Sequence, residues 1–134
     1  TKQLKFELSG ITTGSTRTIT VPDVDVTLTA MPVNSESAAY TLVAADAGGL
    51  VLHPSSDNAA RTFTIPSNAS VPFPVGTVLT FINQVNTVTI AINSDTLTLA
   101  NAGTTGSRTL AANGIATAIK VASTSWFITG VGLT

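Results

Sequence analysis

The chain has 134 residues, enough for one domain with a core, and it contains no Cys, so neither disulfides nor thiolate metal sites arise. Charged residues are 10% of the chain and the formal net charge is −1, far from the clustered cationic surface that phosphate binding needs. No apolar run approaches about 18 residues, so no membrane helix is expected.

The predicted elements are strands, marked by alternation with period two. Leu4, Phe6 and Leu8 alternate with polar residues, as do Ile19 with Val21, and Val24, Val26 and Leu28. Tight turns fall at Gly10–Gly14 and Pro22–Asp23. Further strands are predicted over 40–44, 49–53, 62–65, 77–82, 87–92, 96–99, 115–122 and 126–129. Residues 35–39 or 44–47 are each suited to a single helical turn. Gly, Pro, Asn, Ser and Asp separate the runs, as turn chemistry demands. Val71-Pro72-Phe73-Pro74-Val75 reads as a rigid extended connector, because two prolines bar a central strand.

Short strands at this spacing predict an all-β fold, an antiparallel β-sandwich or jelly-roll-like domain over 34–134. Residues 1–33 are expected to form an extended N-terminal β segment. They are too few to hold a core and must pack on the rest of the chain or on other copies. Leu4, Phe6, Leu8, Ile11, Ile19 and Val21 are the expected interface or docking residues. A membrane β-barrel is disfavoured by short strands and by an aromatic content of 5%. Thr, roughly one residue in six, suits strands. A neutral, hydroxyl-rich surface with an apolar excess points to subunit contacts, where charge is depleted.

Chemistry-bearing candidates are few. His53 is the single His and is followed by Ser55, Ser56, Asp57 and Asn58. A Ser/His/Asp triad needs a base in reach of the nucleophile and a third group orienting it, which adjacent loop residues rarely achieve. A strand-end His beside a turn is the expectation. Asp23 and Asp25 share a side if extended, but two carboxylates fall short of the six to eight oxygens of Ca²⁺. Asn68-Ala69-Ser70 matches a glycosylation sequon that matters only in a secretory host. Trp126 and Phe127 sit on opposite faces of one strand, so one is expected in the core and the other at an interface or a ligand surface, and core or interface is the favoured placement for Trp126. Ser56, Asp57, Asn58 and Trp126 are the candidate surface-contact residues. No catalytic residue, metal or cofactor is assigned.

The wording of several stretches resembles a known group. Leu8–Asp23, with Gly10, Gly14, Arg17 and Pro22, resembles a segment common in tail-fibre and other virion proteins of tailed bacteriophages. Tyr40–Gly49, Arg61–Pro66 and Pro74–Thr77 resemble a β module of tail-fibre-like proteins, and Ile115–Gly130 resembles that module's ending. The resemblance implies a knob-like or elongated homotrimer on a virion, made in a bacterial cytoplasm and carrying no catalytic residues. It also implies structural roles: Gly14 and Arg17 in the N-terminal turn, and Asp46 and Gly49 in the turn before a strand. The function it implies is a tail-fibre or spike domain touching a host surface glycan or protein. Alternatives are a capsid decoration protein bound to the head lattice and a glycan-degrading depolymerase domain. Partners are other copies and other virion proteins, with no nucleic acid and no membrane insertion.

Overall fold

The computed structural model describes residues 10, 12–18 and 30–134. Leu4, Phe6, Leu8, Ile11, Ile19, Val21, Asp23 and Asp25 lie outside them, as does most of the expected 1–33 segment. Within the described part, a turn closes over Thr12–Ser15, overlapping the expected Gly10–Gly14 turn. Ser15 N donates to Thr12 O at 3.0 Å, and Gly14 has φ +81°, a conformation that costs Gly little.

The fold is all-β. Among the described residues nine strands form: β1 (Val33–Ser35), β2 (Tyr40–Thr41), β3 (Leu50–His53), β4 (Arg61–Ile65), β5 (Val78–Asn83), β6 (Val88–Ile92), β7 (Thr96–Leu99), β8 (Arg108–Ala122) and β9 (Ser125–Leu133). A single 3-10 turn at Ala44–Asp46 matches one of the two expected turns.

The pairing differs from the expected antiparallel sandwich. β1, β3 and β5 form one parallel stack, and β2, β4 and β6 form a second. The chain visits the first stack, then the second, in each of three successive coils. This is a β-solenoid-like arrangement, in which each coil is sheltered by its neighbours.

The 15-residue β8 joins the two stacks. Its first residues, Arg108–Leu110, run antiparallel to β6, and Gly114–Ile119 run antiparallel to β5. The change of partner falls where Asn113 takes φ +60°. β9 returns antiparallel along β8, and β7 adds to it in parallel.

Both stacks turn apolar side chains onto one core. Val51, Leu79 and Phe81 come from the first stack, Phe63, Ile65, Val88 and Ile90 from the second, all at most 1% exposed. Leu97, Leu110, Trp126 and Ile128 complete the same cluster. The proline-bounded connector forms no strand, as expected, but it is not idle. It buries Phe73, whose ring meets Trp126 edge-on with centroids 5.8 Å apart, a favoured aromatic geometry.

β8 carries an inverted alternation. Ala116, Ala118 and Lys120 point inward and are buried, while Ile115, Ile119 and Val121 are 42–47% exposed. Phe81 and Leu79 are the register partners of Ala116 and Ala118, and Trp126 is that of Lys120, so large inward side chains on β5 and β9 flank the small inward ones of β8. The bulkier branched residues therefore face out.

Candidate functional site

Two polar clusters and one sheet face stand out. The first cluster sits at the corner where β3 leaves the first stack. His53 and Asn83 are register partners on adjacent parallel strands, and both are fully buried. Asn83 Nδ2 donates to the carbonyls of Asn86 and Leu110 at 3.0 and 2.9 Å. Its Oδ1 is thereby turned to His53 Nδ1, 2.8 Å away, so Nδ1 is the donor. His53 Nε2 faces Asp57 Oδ2 at 3.1 Å. Arg61 grips the same carboxylate with two bonds, Nε to Oδ2 at 2.6 Å and Nη2 to Oδ1 at 2.9 Å. This is the two-pronged geometry that makes Arg–carboxylate pairs strong.

The Arg61 hydrogen bond, aided by His53, holds the Asp57 carboxyl at about 2, below its ordinary 3.8. Two further bonds tie successive corners together. Ser55 N donates to Gln84 Oε1 at 2.8 Å, and Asn86 Nδ2 donates to Asn58 O at 3.2 Å. Each His53 nitrogen thus faces an acceptor other than a serine. No hydrogen bond joins either nitrogen to Ser55 or Ser56, the contact through which a base takes a serine proton. Asp57 and Asn58 are structural members of this corner, with Ser56 exposed beside them.

The second cluster surrounds Asp46, 6% exposed. Its carboxylate accepts from Val43 N at 2.7 Å, Tyr40 Oη at 2.9 Å and Asn34 Nδ2 at 3.1 Å. Burial first, and then the Asp46 carboxylate, push the Tyr40 phenol up to about 12. The turn role expected for Asp46 is what the geometry provides. Gly49 adds a close approach, since a Cβ there would lie 3.1 Å from Asp46 O and 3.3 Å from Pro32 O. A shallow cavity of about 260 Å³ opens here between Pro32, Asn34, Tyr40, Val43 and Asp46.

Trp126 is fully buried. It is therefore the core member of the aromatic pair and not a surface-contact candidate, and the outward aromatic is its neighbour Phe127, 46% exposed. Lys120, 1% exposed, lies against the indole. Its Nζ is 5.5 Å from the ring centroid and donates to Asn68 Oδ1 at 2.6 Å.

The sheet face is the outer surface of β1, β3, β5, β8, β9 and β7. Its register aligns three rows. Thr98, Phe127, Ile119 and Val78 form the first. Thr129, Thr117, Thr80, Leu50 and Val33 form the second. Val131, Ile115, Ile82, Leu52 and Ser35 form the third. None of these positions is charged. The outer face of the second stack has another character, with Thr62, Thr89 and Thr109 in one row and Thr41, Thr64 and Ala91 in the next. One outer face is thus apolar and the other hydroxyl-covered. Sequence reasoning missed the apolar face because alternation locates two faces without saying which is turned to the core.

Among the described residues, no group of three His, Asp or Glu is placed to hold a metal ion, and no helix is long and apolar enough to cross a membrane. Comparison with protein-family models, curated proteins and solved structures finds no match.

Proposed function

We propose that this chain is a structural component of a tailed-phage particle, a tail-fibre or spike domain that mediates host-surface attachment through an oligomeric, homotrimeric β scaffold. The observation that carries this reading is the uncharged apolar sheet face on a scaffold whose corners are tied by side chains. Such a face suits contact with other protein, where charge is depleted at the centre. The resemblance of Tyr40–Gly49, Arg61–Pro66 and Ile115–Gly130 to tail-fibre-like modules supplies the particle. Loops at the corners of a rigid stack, such as Ser55–Asn58, are the natural receptor-contact positions.

A second reading, a capsid decoration protein, is favoured by β8, which runs across the last strands of both stacks. That crossing closes the described coils as a knob at this end, where a fibre shaft would continue stacking. A depolymerase is supported less well, since His53 is committed to Asn83 and Asp57.

Gold-labelled antibody against the chain, viewed on intact particles, tests both structural readings. Label at the tail tip with binding of the purified chain to host cells supports the spike. Label on the head supports decoration, and unlabelled particles would refute both.

A further inference from the structure

We propose that the outer face of β1, β3, β5, β8 and β9 is the surface through which copies of this chain meet, each covering the same face of its neighbours. The proposal rests on reading the chain as a contact-forming module and names the partner of that face. Three observations support it.

The first is the phase of β8. In a strand whose outer face is wet, the larger apolar residues turn inward and polar ones outward. Here Ile115, Ile119 and Val121 turn outward, and the inward set includes a lysine. That pattern belongs to a strand covered on both faces.

The second is area. The strongly exposed Val33, Val78, Ile115, Ile119, Phe127 and Val131 present on the order of 500 Å² of apolar surface, the upper part of the range for a monomer's largest patch. The threonines and half-buried leucines among them bring the face toward the roughly 800 Å² per partner of a stable interface. The sheet is wide enough, since five strands span roughly 19 Å.

The third is charge. At the symmetry axis of an assembly of identical chains each residue is brought against its own twins, so a charge near the centre of an axis-facing surface is repelled. The three rows contain none. A partner of different sequence imposes no such demand. The hydroxyl-covered outer face of the second stack is the one suited to water, which orients each copy within the assembly. Around a three-fold axis the apolar face would look inward and meet both neighbours.

The test uses the full chain. Because it has no native Cys, a single introduced thiol can be linked only to another copy. Thr129→Cys lies in the middle row, and Thr89→Cys lies on the hydroxyl-covered face as a control. With a short bis-maleimide at low protein concentration, Thr129→Cys should give covalent dimers and Thr89→Cys should remain at the 13.6 kDa monomer mass. Phe127→Lys should sediment as a monomer while keeping its far-ultraviolet circular dichroism. Equal linking at the two positions, no linking at Thr129→Cys, or an assembled Phe127→Lys would overturn the proposal. Thr129→Cys decides the matter if Phe127→Lys fails to fold. A chain that labels particles yet stays monomeric would refute this face and spare the particle reading. Face-linked copies absent from particles would do the reverse.

Discussion

Tyr40 is the single tyrosine, so its ionisation can be followed by phenolate absorbance without interference from others. Burial and the Asp46 carboxylate raise its titration to about 12 from the ordinary 10.0. Asp46→Asn removes the charge and should move the midpoint back toward 10. An unchanged midpoint would place the cause elsewhere. At the other corner, the folded state depresses Asp57 to about 2 from 3.8. Its stabilising contribution is complete above the unfolded value and is lost as pH falls through the folded one. Urea midpoints measured from neutral pH down to pH about 2 should fall, and Asp57→Asn should flatten that decline. Neither cluster could be assembled from sequence. His53 and Asn83 are thirty positions apart, and only the parallel register makes them neighbours. The burial of Lys120 leaves no local signal either, because its partner Asn68 is fifty-two positions away.

At the scale of elements, the predicted runs at 49–53, 62–65, 77–82, 87–92 and 96–99 correspond closely to β3 through β7. Their branched and aromatic residues alternate cleanly, which is the signal that strands leave in a sequence. β1, Val-Asn-Ser, was not anticipated, since three residues without alternation carry no signal. β8 extends beyond its expected 115–122, because Ala111-Ala112-Asn113-Gly114 has the composition of a turn while serving as a bend within one strand. Pairing direction was also illegible, since alternation is the same whether the partner runs parallel or antiparallel. The Trp126–Phe127 pair was correctly placed on opposite faces, but which aromatic faced the core depended on the phase of β9. Two substitutions test this packing. Trp126→Ala should cost about 3–5 kcal/mol in chemical unfolding. Gly130 lies opposite Ala116, and a Cβ there would sit 2.7 Å from the Ala116 Cα. Gly130→Val should therefore cost about 1–3 kcal/mol, the usual toll of overpacking. A Gly130→Val chain as stable as the parent would mean that β8 and β9 do not approach as closely as described.

For the molecule as a whole, two parallel stacks bridged by β8 explain how a chain with 10% charged residues organises its apolar excess. Among the described residues, one part fills the core and another lines the outer face of the first stack. Contacts made by such a face draw on removal of apolar surface from water, which salt does not weaken, whereas ion pairs fade as the screening length shortens. Sedimentation equilibrium of the unmodified full chain, at low and at molar salt, addresses this most directly. A mass that is a small whole multiple of 13.6 kDa, unchanged or larger at high salt, is the expected result. A chain that sediments as a single copy under both conditions, or whose assembly dissolves as salt is added, would contradict it.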